Sequence, residues 1–295
     1  MAKPALQQHP VDGLPFRVSL ESVNRGVGLV AFTLPFALLA VWFLGGTCAG
    51  IDSISHYYYT RLGGDLLVGA LCFIGTLLLF FYKLPAAPEG GTAAVDGYLG
   101  HGTLDIWAAR FAGICAFGVA LAPTSGTGCE DFSGGVARVF LQGATGGELA
   151  LPITGTASFD FWATLGLEGG LLTYTHYASA LGMFVVLAYF SLVVFARPQT
   201  AVPVGADSRQ AARKQKRNLI YRVCGGLIVV AIVSLAYKAL VHEEGSPGLE
   251  SWNKANLTFW FEALGLVAFG VSWSLKGRLF GLFRDPEDEV PSQGL

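Results

Sequence analysis

Six long apolar stretches constrain this chain more than any other feature. They run over about 27–46, 64–83, 106–123, 176–196, 219–240 and 257–275. Each is close to the roughly 20 residues that a helix needs to cross a hydrocarbon core of about 30 Å. Lipid offers no partner to a bare N–H or C=O, so a spanning segment must be a helix or a strand of a closed barrel. The alternating strands of a barrel, about ten residues each, do not occur in the sequence. Charge agrees with this reading. Only 14% of the 295 residues are charged and 53% are hydrophobic, whereas a soluble domain carries about 25% charged residues. The expectation is an all-α, polytopic transmembrane bundle of six helices, one domain over 1–295, multi-pass in the cell's inner (plasma) membrane. The start of the chain carries Lys3, Arg17, Glu21 and Arg25 without an apolar run, so the first spanning helix is expected to direct insertion itself.

Basic residues set the expected orientation. The segment from Arg197 to Arg217 also holds Arg209, Arg213, Lys214 and Lys216 against one acid, Asp207. Placing it in the cytoplasm puts both termini inside. All but four of the 19 lysines and arginines then lie on the inner side, the exceptions being Arg61, Arg138, Lys238 and Lys254. The net charge of −2 offers no basic face for nucleic acid. Within the third stretch, Arg110 reads as a side chain that snorkels to the membrane edge. The 198–218 connector reads as a flexible basic linker, and 285–295 as a disordered acidic tail.

The longest connection, 124–175, is rich in Gly and Thr. It reads as an outer loop insertion in which runs such as 137–141 could pair as short strands. Cys48 and Cys129 both fall in outward-facing loops, where disulfides are permitted, and they are expected to pair. Cys72, Cys115 and Cys224 fall inside helices, where a thiol acts as a small core residue.

Polar chemistry gathers near the outer ends of the helices. Asp65, Gly69, Cys72 and Thr76 form a small, polar stripe expected to face the bundle. Glu262 lies inside the last helix, where a carboxylate must be paired, protonated or wet; by depth its partner is Lys238. His56 follows Asp52-Ser53-Ile54-Ser55 and precedes Tyr57-Tyr58-Tyr59, while His176 and His242 sit at helix ends. Candidate ligand-binding residues are therefore His56, Tyr58, Asp65, His176 and Glu262, with Asp65, His176 and Glu262 lining one cavity. Imidazoles and carboxylates at one depth are compatible with a lipid headgroup, a proton relay or zinc. Interfacial His and Tyr also serve as plain membrane anchors. No phosphate-cradling loop, nucleophile elbow or CxxC motif occurs, and no cofactor or catalytic residue is indicated.

The run Ile54-Ser55-His56-Tyr57-Tyr58-Tyr59-Thr60, followed by Asp65-Leu66-Leu67-Val68-Gly69-Ala70-Leu71-Cys72, resembles a motif of an uncharacterised family of bacterial six-helix membrane proteins. The stretches 118–124, 217–225 and 259–264 fit the same pattern, and the likeness covers nearly all the chain except 124–175. It implies an architecture and no reaction. A looser likeness joins the first loop and second helix to damage-regulated autophagy modulators and GPI-anchor remodelling factors, which implies lipids. The superfamily containing alkaline ceramidases is similar in its use of Ser, Asp and His near helix ends, but its His-x-x-x-His is missing here. The expected role is binding of a membrane lipid headgroup or small molecule. The alternatives are an accessory subunit that packs against other membrane-protein subunits, and a metal-dependent lipid hydrolase.

Overall fold

The computed structural model describes residues 18–45, 51–83, 101–124, 126–127, 131–132, 142–143, 149–150, 170–197, 208–243 and 245–279. Cys48, Cys129, the 137–141 run and the 285–295 tail lie outside the described residues. Helix α1 covers Leu20–Gly45. Helix α2, Arg61–Thr76, runs on into a π turn at Leu77–Phe81, and α3 covers Thr103–Leu121. Helix α4, Gly170–Tyr189, also ends in a π turn, at Phe190–Val194. Helices α5, Ser208–Val241, the short α6, Pro247–Lys254, and α7, Leu257–Lys276, complete the set. Six of these helices are long and apolar enough to cross a membrane, α6 being the exception. Between α3 and α4, two antiparallel pairings of two residues each join Gly126–Thr127 to Asp131–Phe132 and Gln142–Gly143 to Leu149–Ala150.

Helices α1 and α5 begin furthest ahead of their apolar stretches. Helix α1 starts at Leu20 because Ser19 caps it, its hydroxyl accepting from the Ser22 N–H at 3.1 Å. Helix α5 starts at Ser208, so the basic run 208–218 is helical and not a flexible linker. Ala, Arg, Gln and Lys are strong helix formers, and their charge does not oppose a helix that leaves the membrane. Helix α6 was not foreseen, since eight residues are too few to show a period. Its signal is local: Ser246 accepts from the Leu249 N–H at 3.2 Å and Pro247 opens the first turn.

Helices α1 to α5 are neighbours in chain order, and α7 closes the circuit by packing on both α1 and α5. The α1–α7 seam is the most extensive. At Gly28 an added Cβ would run into the backbone of Ser274, and at Gly270 it would come 2.5 Å from the Phe32 nitrogen. Helices α2 and α3 meet the same way, since a Cβ on Gly75 would lie 3.0 Å from the Gly113 carbonyl. Lipid tails are as apolar as leucine, so close backbone contact is what favours helix association over helix–lipid contact.

That competition also corrects the expected face of α2. Leu67, Leu71, Ile74 and Leu78 are buried, whereas Asp65 and Gly69 are exposed and Cys72 and Thr76 half-buried. An apolar face gains nothing by staying in lipid, and packing against Gly113 and α1 decides which side turns inward. Thr76 satisfies its own hydroxyl by donating to the Cys72 carbonyl at 2.8 Å. Arg110 lies two turns into α3, with its guanidinium 5.0 Å from the Trp107 ring.

The end of the bundle carrying His101 is aromatic. Tyr82, Phe190, Phe195 and Trp273 are fully buried there in mutual edge and tilted contacts. His101 shares a hydrogen bond of 3.1 Å with the Tyr82 hydroxyl. Beside them the Asp105 carboxylate accepts from Arg197 at 2.8 Å, from Tyr189 at 2.7 Å and from the Gly102 N–H at 2.7 Å.

The seam yields a prediction. Gly28→Ala and Gly270→Ala should each destabilise the detergent-solubilised protein by about 1–3 kcal/mol, because the new methyl meets backbone that cannot step aside. Gly69→Ala, with open space around it, should cause no loss. Thermal unfolding of the three variants against wild type makes the comparison.

Candidate functional site

At the opposite end of the bundle, residues 51–60 fold into a short segment ending in a 3-10 turn, Ser55–Tyr59. Three tyrosines anchor it. Tyr57, Tyr58 and Tyr59 are all buried. The Tyr58 and Tyr59 rings meet edge-on at 5.2 Å, and the Tyr59 hydroxyl donates to the Thr124 carbonyl. Burial pushes the Tyr57 phenol up to about 12, so it stays protonated. Tyr58 therefore belongs to the packing beneath the segment.

The segment and α7 satisfy each other's backbone. An N-terminal helix turn leaves its N–H groups without partners inside the helix. The Phe259 N–H donates to the Asp52 carbonyl at 2.8 Å. In return, the Glu262 carboxylate accepts from the Ile54 N–H at 2.6 Å and from the Ser53 hydroxyl at 2.9 and 3.1 Å. Ser53 Oγ accepts the Ser55 N–H at 3.1 Å, which holds the next turn in register. Lys238 is not the partner of Glu262. Its ammonium donates to Thr258 Oγ1 at 2.8 Å, and Trp252 Nε1 donates to the same oxygen at 2.9 Å, tying α5 and α6 to α7. Neutral and backbone donors already meet the carboxylate, so a direct ion pair would add the cost of desolvating a second charge.

His176 on α4 is 3% exposed. Its Nδ1 lies 2.7 Å from the Ala122 carbonyl, just past α3, and its Nε2 lies 2.9 Å from Ser55 Oγ. A carbonyl can only accept, so Nδ1 carries the proton. In the neutral ring Nε2 is then the acceptor for the Ser55 hydroxyl. His56 turns the other way, its Nδ1 2.6 Å from Asp52 Oδ1. Burial alone would raise the Asp52 carboxyl; the His56 hydrogen bond and charge, with the charge of Lys238, hold it below its ordinary value. His56 Nε2 meets no described side chain. Its side chain and that of Asp52 keep 14% and 12% exposure.

Of the five residues singled out in sequence, His56, His176 and Glu262 thus converge on the 52–55 stretch. Tyr58 lies below it, and Asp65 is exposed on α2, away from the buried side of that helix. Sequence reasoning overlooked Ser53 and Ser55, and with them the backbone groups of Ile54 and Ala122. The available signal was the tight run Asp52-Ser53-Ile54-Ser55-His56, which packs two hydroxyls between a carboxylate and an imidazole. Among the described residues, no three His, Cys, Asp or Glu side chains are placed to hold a metal ion. Nor does a disulfide form among them, Cys72, Cys115 and Cys224 being free.

The two carboxylates give separate expectations. Glu262→Gln should cost about 1–3 kcal/mol, because an amide N–H then faces the Ser53 or Ile54 donor. Lys238→Met should cost under about 1 kcal/mol, since Trp252 still serves Thr258. Equal losses in thermal unfolding would mean that the two groups pair after all. The stabilising share of Asp52 is complete above the unfolded carboxylate value of about 3.9 and is lost as pH falls through its lower folded value. The stability gap between wild type and Asp52→Asn should therefore close below about pH 4.

The chain matches no family model, no curated protein and no solved structure.

Proposed function

We propose that this multi-pass membrane protein recognises a polar headgroup or small molecule at the end of the bundle formed by residues 51–60. In this reading that end faces away from the cytoplasm and both termini lie inside. One observation carries the reading. Ser55 is half-buried and the His56 and Asp52 side chains keep 14% and 12% of their surface open, while His176 and Ser53, which hold the segment from beneath, are buried. A site of this kind needs preorganised polar groups at a boundary where one wall is apolar and the other reaches water. The Asp52–His56 pair supplies an oriented imidazole, and Ser55 supplies a hydroxyl oxygen that accepts, its proton being given to His176. Glu262 holds the platform on which both stand. The basic-residue asymmetry supports the orientation, because 208–217 and the first residues of α1 lie at the His101 end.

The ligand reading predicts that native mass spectrometry of protein released from its own membrane finds a bound lipid or solute. His56→Ala should lower its occupancy about tenfold, the loss expected for one hydrogen bond. Thermal stability should fall by about as much as in Asp52→Asn, which removes the same bond and serves as the stability control. Identical occupancy in wild type and variant would remove the site from this end of the bundle. Impermeant thiol reagents test the orientation independently. A cysteine placed at 150 should react from outside intact cells, and one placed at 205 only after permeabilisation.

A further inference from the structure

The contact between Ser55 and His176 has the geometry of an activated nucleophile. A serine hydroxyl is weakly nucleophilic unless a base takes its proton, and the base must be held in one tautomer by a third group. All three parts are present. Ser55 Oγ is 2.9 Å from His176 Nε2, within the reach that proton transfer requires. His176 Nδ1 is 2.7 Å from the Ala122 carbonyl, which fixes the ring and directs its lone pair at the hydroxyl. The base is buried and the nucleophile is partly open. A contact that served packing alone would have no need of that asymmetry.

We infer that Ser55 is the nucleophile of an acyl-transfer site for a carboxylic ester, with His176 as its base and the Ala122 carbonyl as the group that orients it. This rests on the reading above, that the 51–60 end takes a headgroup or small molecule, and gives that ligand an ester bond. Ser55 Oγ attacks the ester carbonyl carbon as its proton passes to His176 Nε2. The C–O bond to the alcohol breaks, and His176 returns the proton to the departing alkoxide. Water then attacks the acyl-serine. His176 takes a proton from it and gives one to Ser55 Oγ, so that a carboxylic acid leaves. Only the ester and water are consumed.

A fluorophosphonate probe, which reacts with activated serines, tests the assignment on the full-length protein in detergent and in lipid nanodiscs. The expected result is one covalent adduct on folded protein, mapped to Ser55 by peptide mass spectrometry. Ser55→Ala should abolish it on protein that still folds, its thermal midpoint lowered only by the lost bond to His176. His176→Gln should slow labelling by roughly 10²-fold or more, the usual share of a general base. Because that variant could unfold, Ser55→Ala carries the decision. Folded wild type that labels no faster than heat-denatured protein, or labels at another serine, overturns the inference. Bound lipid or solute that persists in a protein refusing the probe sinks the nucleophile and spares the binding reading. Hydrolysis of a short-chain p-nitrophenyl ester in detergent, against release of fatty acid from a phospholipid nanodisc, separates a soluble ester from a membrane lipid as the source.

Discussion

A carboxylate inside a membrane helix has to be held by something, and the manner in which Glu262 is held organises this end of the molecule. Its oxygens take one backbone N–H and one hydroxyl from residues 53 and 54, while the Asp52 carbonyl takes a first-turn N–H of α7 in exchange. Each partner removes polar groups that the other could not satisfy alone. In a low-dielectric setting such bonds are strong, and leaving one unmade is expensive. The exchange makes residues 51–60 part of the bundle, lying across α3, α4 and α7, and it presents Ser55 and His56 in fixed positions.

The rest of the bundle serves to keep α7 where that exchange needs it. Helix α7 is the most buried of the six spans, and its far half is locked on α1 through Gly28 and Gly270. Its near end is tied to α5 and α6 through Thr258. At the His101 end, Trp273 is buried among Tyr82, Phe190 and Phe195, close to two π turns. Turns of this type recur where a helix must place side chains off its regular spiral. Here they follow α2 and α4, and deliver Tyr82 and Phe195 into one aromatic cluster.

Much of this was legible in the amino-acid order. The six spans follow from length and apolarity, since the bilayer permits few alternatives. His56, His176 and Glu262 could be selected because imidazoles and a carboxylate near a bilayer carry a cost that demands a reason. The inward face of α2 could not be read this way. Polarity separates core from water, whereas here the competition is core against lipid, and Gly75 against Gly113 decides it. The partner of Glu262 was hidden for a related reason. Charge suggested Lys238, while the donors are a hydroxyl and a backbone N–H, which carry no charge to notice and depend on how residues 51–60 turn. Ser55 was invisible until the fold set it against His176, since 120 positions separate it from its base in a chain with no motif to link them.

The central claim is that residues 51–60 are fixed on α7 by the Ser53–Glu262 bond, and that this fixation builds the site. A double-mutant cycle with Ser53→Ala, Glu262→Gln and the pair, read by unfolding of the purified protein, addresses it directly. The account predicts a coupling of at least about 1 kcal/mol, because each single change strands the other's partner. Losses that add to within about 0.3 kcal/mol would show that the two groups do not depend on each other, and would contradict it.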